Sequence, residues 1–168
     1  FIGYDKKEYY NQKISSADSD KDAQGIRTYV SWIWLFKENA FLNLRYEFSK
    51  EHADGIYWEN EGNRFTANVS IPLLQEETAK RVGALSLQLT AGAFFQDFKF
   101  EQPYQEKDGT TQNIARKDKV FNSSAGLTWA FQKDTSFIVQ FTKTKANSNI
   151  PANEYTRNLY SAGVEFRF

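Results

Sequence analysis

The sequence predicts an all-β protein, an antiparallel transmembrane up-and-down β-barrel with eight strands visible in 168 residues. Three observations predict it. Apolar and polar residues alternate with the strand period of two in successive stretches along the whole chain. The links between those stretches alternate in length, short at one end and long at the other. The aromatic residues gather towards the two ends of the stretches, where hydrocarbon would meet water.

Residues 1–11 form a weak first strand. Ile2 and Tyr4 suit lipid, but the same face then meets Lys6 and Glu8, and the other face carries Asp5 and Lys7. A tilted strand needs roughly 9–11 residues to cross a bilayer, and charges facing lipid cost a few kcal/mol each. Residues 1–4 are therefore expected in the upper membrane, with the chain beginning partway through a strand. The second stretch, 26–36, carries Val30, Trp32, Trp34 and Phe36 on one face and Tyr29, Ser31, Ile33 and Leu35 on the other. The third, 42–49, sets Leu42, Leu44, Tyr46 and Phe48 against Asn43, Arg45, Glu47 and Ser49. The fourth, 64–71, sets Phe65, Ala67, Val69 and Ile71 against Arg64, Thr66, Asn68 and Ser70. Residues 85–96 and 121–131 continue the pattern with Leu, Ala and Phe opposing Ser, Thr, Gln and Asn. Phe137, Val139 and Phe141 form the apolar face of the seventh stretch. The last residues place Tyr160, Ala162, Val164, Phe166 and Phe168 on one side of the eighth.

Residues 37–40 and 132–135 read as tight hairpin turns, and 72–83 shrinks to a turn at about 74–80. The links near 12–24, 50–62, 101–117 and 145–157 are long and rich in Asp, Lys, Asn, Ser and Gly. Such asymmetry is that of periplasmic turns and extracellular loops. Trp34, Phe36, Phe41, Trp129 and Phe131 fall near the short-turn end, whereas Tyr57 and Trp58 fall near the long loops, giving two aromatic girdles. The composition agrees. A mean hydropathy of −0.64 accompanies 15 Phe, 9 Tyr and 4 Trp, a combination that alternation between lipid and water produces. Lys+Arg and Asp+Glu both number 21, so no net field points to nucleic acid. No apolar run approaches a membrane helix, no stretch reads as an amphipathic helix, and cysteine is absent.

The closing stretch, 158–168, resembles the terminal strand of bacterial outer-membrane β-barrel proteins, in which a final Phe behind alternating apolar residues is read by the assembly machinery. The resemblance implies that Tyr160, Val164, Phe166 and Phe168 form that assembly signal. It also implies a bacterial outer-membrane location, with outer-membrane lipid and the assembly machinery as partners. The stretch from Asp54 through Tyr57, Trp58 and Gly62 to Phe65, and that from Asn147 through Asn149, Ile150, Pro151, Tyr155 and Arg157 to Asn158, are similar to outer loops and strand entries of barrels fused to tetratricopeptide repeats. The surface lipoprotein assembly modifier family is one such group. The likeness implies an export role with a periplasmic or surface protein as partner, although no repeat pattern occurs in these 168 residues.

Arg45, Glu47, Arg64, Glu165 and Arg167 are the candidate lumen-lining charges, able to bias ion passage or to pair across an interior. Many other inward positions are Ser, Thr, Asn, Gly or Ala, which suits the wall of a barrel wider than eight strands. His52, the single histidine, lies in a long link, and Ser49 three residues earlier does not give the His-x-Ser spacing of barrel lipid hydrolases. The acidic run 16–22 lacks the turn glycine and distal Glu of a calcium loop. No catalytic residue, metal site or cofactor site is expected. The expected function is a passive pore or translocation conduit, porin-like in its transport, formed by the carboxy-terminal part of a larger barrel. A complete eight-stranded membrane anchor or surface-binding protein is the alternative, and a soluble lipocalin-like carrier comes third.

Overall fold

The computed structural model describes residues 2–7, 22–37, 40–106, 108–132 and 134–167. They form a single antiparallel sheet: β1 (Ile2–Lys7), β2 (Ala23–Lys37), β3 (Ala40–Ala53), β4 (Asn60–Pro72), β5 (Ala84–Gln105), β6 (Thr111–Gln132), β7 (Thr135–Ser148) and β8 (Tyr155–Phe166). Each strand hydrogen-bonds to its neighbours in sequence, in the order β1 to β8. Among the described residues β1 pairs only with β2, and β8 only with β7.

Register preserves the alternation across the sheet. Val30 faces Tyr46, Tyr46 faces Phe65, Phe65 faces Ala93 and Ala93 faces Phe121, so apolar residues line up on one face. On the other face Tyr29 lies opposite Glu47, Glu47 opposite Arg64, and Thr90 opposite both Asn68 and Ser124. A one-residue slip would reverse every side chain, so the pattern fixes the pairing. Aromatic contacts knit the apolar face across strands: Tyr46–Phe65 at 5.0 Å, Phe65–Phe95 at 6.4 Å, Phe95–Phe121 at 6.1 Å and Phe141–Tyr160 at 4.9 Å.

The apolar face is the one that leaves more large side chains exposed. Among the described residues the buried apolar ones are four alanines, Phe98 and Ile150, whereas Glu47, Ser70, Asp118, Ser136 and Thr144 of the polar face are buried. Trp32 of the apolar face is 65% exposed, and Phe65, Leu89, Leu127, Trp129, Phe137 and Val164 are exposed with it. Large apolar side chains are ordinarily those removed from water.

Four features depart from the sequence-based expectation. The stretch expected as a turn at 74–80 contains a helix, α1 (Glu76–Val82). It is stabilised locally, with Glu76 and Glu77 in the first turn, Lys80 and Arg81 in the last, and a Lys80–Glu76 ion pair of 2.6 Å. Gly83, at φ 92°, ends it. Seven residues are too few for periodicity to reveal. The link expected at 101–117 is mostly strand: β5 and β6 continue as a two-stranded ribbon beyond Phe98, where β4 stops, and Asp118, where β7 stops. Pro103 is tolerated there because the ribbon has a free edge on the β5 side. The links at 50–62 and 145–157 likewise contract to six residues each, 54–59 and 149–154, around single 3-10 turns at Ile56–Trp58 and Pro151–Asn153. The asymmetry of short and long ends is thus milder than the polarity of the links suggested, because polar residues above the apolar band still form ladder hydrogen bonds.

Candidate functional site

Alternation on β1, β2 and β3 brings a band of charge together on the polar face. Glu47, 5% exposed, is its centre. Arg45 Nη2 lies 2.5 Å from Glu47 Oε2, and Arg27 Nε lies 3.7 Å from Glu47 Oε1. Arg27 also reaches Asp5 across the β1–β2 ladder, Nη2 to Oδ2 at 3.2 Å, and Lys7 pairs with Glu51 in the next layer. The Arg45 guanidinium stacks on Tyr29 with its Cζ 3.6 Å from the ring centre. Arg27 Nε is buried without a hydrogen-bond partner, since 3.7 Å is too long for one.

The other sequence-predicted charges are dispersed. Arg64 follows Glu47 across the β3–β4 ladder but turns to the Phe94 ring, Cζ 4.6 Å from its centre. Phe94 also covers Gly62, where a Cβ would sit 2.6 Å from the ring and 2.8 Å from Ser49 Oγ. Glu165 and Arg167 pair with each other at 3.3 Å near the short-turn end, both exposed. The structure therefore joins Arg45 and Glu47, adds Arg27, Asp5, Lys7 and Glu51, and leaves Arg64, Glu165 and Arg167 apart. Arg27 and Asp5 were missed because their strand entries lack clean alternation; opposite signs on facing strands were the available signal.

A second cluster lies at the long-loop end. Arg116 donates to both oxygens of Asp118, Nε at 2.9 and 3.0 Å, and its Cζ lies 4.5 Å from the Phe98 ring centre and 5.8 Å from that of Trp58. Trp58 meets Phe98 edge-on at 6.3 Å. Glu59 bridges this cluster to Lys99 at 2.7 Å and to His52 Nδ1 at 3.1 Å. The hydrogen bond from Lys99 holds the Glu59 carboxyl below its ordinary value, against the opposing effect of burial. Asn149 completes the rim. Its Nδ2 donates to the Ala115 carbonyl at 2.8 Å and its Oδ1 accepts from the Lys117 amide at 2.7 Å, so one side chain imitates a strand along the edge of β6.

The remaining predicted residues fall as follows. Tyr160, Val164 and Phe166 share the apolar face of β8, opposite Phe141, Phe137 and Thr135; Phe168 lies outside the described residues. Trp34, Phe36, Trp129 and Phe131 are exposed at the short-turn end, with Trp129 Nε1 donating to the Val82 carbonyl at 2.9 Å. Phe41 pairs with Leu35 and Ser70 and so takes the polar face by alternation. Tyr57 and Trp58 belong to the 3-10 turn Ile56–Trp58. Ser49 and His52 occupy opposite faces of β3. Of the acidic run 16–22, only Asp22 is among the described residues. Among those residues no three His, Cys, Asp or Glu side chains gather as metal ligands, and no helix is long and apolar enough to cross a membrane.

Comparison of the chain with protein-family models, with curated proteins and with solved structures finds no match.

Proposed function

We propose that the chain forms part of the wall of a transmembrane β-barrel in a bacterial outer membrane and serves as a pore or translocation conduit. One observation carries the reading: the face that bears Trp32, Trp34, Phe65, Trp129 and Phe137 leaves these large side chains exposed, while Glu47, Ser70, Asp118, Ser136 and Thr144 of the opposite face are buried. Water would penalise that exposure by about 25 cal/mol per Å² of apolar surface, whereas a bilayer removes the penalty. The separate edges of β1 and β8 favour closure through further strands, which also suits the small side chains of the polar face. The likeness to outer-membrane barrels at the last strand, and to repeat-fused barrels at the Asn149–Pro151 link, agrees with this reading.

The ion pairs around Glu47 favour a second reading, a closed narrow barrel acting as an anchor, because charges paired along neighbouring strands leave less free charge to line a water column. Two measurements on the full chain separate the readings. Fractionation should place it with outer membranes, with heat-dependent migration on gels; recovery as a detergent-free soluble monomer overturns the membrane reading. Stable conductance steps in planar bilayers support the conduit, and their absence from folded protein supports the anchor.

A further inference from the structure

Beyond the last aromatic residue of the apolar face, β6 and β7 carry four outward lysines. On β6, Phe121 is followed towards the long-loop end by Lys119 and Lys117; on β7, Phe141 is followed by Lys143 and Lys145. Phe121 is opposite Lys145 and Lys119 is opposite Asn147, so Lys119 and Lys145 are diagonal neighbours on one face, a spacing of roughly 7–8 Å between Cα atoms. All four are exposed, and none makes an ion pair among the described residues. The acidic side chain on that face nearest in register is Asp97, opposite Lys117 and diagonal to Lys119, while Lys143 and Lys145 are flanked on β8 by Asn158 and Thr156. Elsewhere at the same end, charge on the apolar face is compensated, as where Lys50 meets Glu61 at 2.8 Å. Like charges in adjacent positions repel, so four lysines facing one carboxylate call for an external anion.

Immediately below the lysines the same face is hollowed. A groove of about 520 Å³ runs across β5 to β8, with Ala125 and Ala162 among the small residues and Leu127, Val139, Phe141 and Tyr160 among the large ones lining it. Lys143 is the next outward residue after Phe141. Cationic heads directly above an apolar trough match an amphiphile in both charge and polarity.

We propose that Lys119, Lys143 and Lys145 bind the phosphate of a phosphorylated membrane lipid whose acyl chain lies in this groove. The inference rests on the membrane reading above. It names a lipid rather than an acidic protein because the apolar trough continues the charged patch on one face.

The test uses the full chain in dodecyl maltoside, titrated with fluorescent phosphatidic acid and with diacylglycerol bearing the same chains and label. Phosphatidic acid should bind the more tightly, by about fivefold for each lysine engaged. The triple variant K119Q/K143Q/K145Q should lose that preference while keeping wild-type heat-dependent migration, and K50Q should retain it. Equal binding of the two lipids, or an undiminished preference in the triple variant, overturns the inference while leaving the membrane reading intact. Displacement by millimolar inorganic phosphate alone reassigns the site to a free anion, and displacement by polyglutamate alone reassigns it to an acidic protein; either result also overturns it. Recovery of the chain in the soluble fraction without detergent removes both readings together.

Discussion

Glu47 shows how one carboxylate organises its surroundings. Two guanidinium groups converge on it, and its side chain is among the least exposed on the polar face. Removing one partner of a buried pair strands the other, but Arg27 and Arg45 each keep more than a third of their side-chain surface accessible, which softens the penalty. Glu47→Gln is expected to lower stability by about 1–2 kcal/mol, read as the urea midpoint of the chain folded in micelles. Glu165→Gln, which breaks an exposed pair, should change it by less than about 0.5 kcal/mol. Glu59 adds a pH dependence. Its folded carboxyl titrates below the ordinary value of 4.5, so its contribution is fully present above that value and is lost as pH falls through the lower folded one. The midpoint difference between wild type and Glu59→Gln should therefore shrink as pH falls below the ordinary carboxyl value of 4.5.

Among elements, the β5–β6 ribbon and the link after β7 are mutually supporting. Lys99–Gln105 and Thr111–Lys117 extend past the neighbouring strands, and at roughly 3.3 Å per residue the overhang is about 23 Å. A free two-stranded ribbon is marginal in water. Its base is held by Arg116 against Phe98 and Trp58 on one side and by Asn149 on the other. Asn149→Ala is expected to cost about 1–2 kcal/mol. Hydrogen exchange at the Lys117 amide, whose acceptor the substitution removes, should accelerate while exchange at Leu127 stays unchanged.

At the scale of the whole molecule, most of the sheet was legible in the sequence. Leu42 to Ser49 and Phe65 to Ile71 alternate without exception, and period-two patterning leaves no choice of face or register. The charged pair Arg45–Glu47 was legible for the same reason. What was not legible depended on partners outside the local pattern. The ribbon beyond Phe98 mixes Lys, Gln, Pro and Asn as a loop does, and becomes strand through ladder bonds between segments far apart in sequence. The Asn149 side chain reads as a turn former until the edge of β6 lies beside it. Helix α1 is decided by charges at its two ends rather than by an apolar stripe. Phe41 has the composition of a girdle residue and the parity of an inward one, and parity prevails.

Every residue of β8 is exposed, and the side of its backbone turned away from β7 offers donors and acceptors to whatever arrives. Such a margin is a template for polymerisation. Refolded alone at high concentration without lipid or micelles, these 168 residues are expected to stack end strand on end strand into fibrils that brighten thioflavin T. A lysine placed at Gly163, where added side-chain atoms meet open space, should delay that growth. Keeping the margin occupied is thus a condition of solubility as much as of architecture.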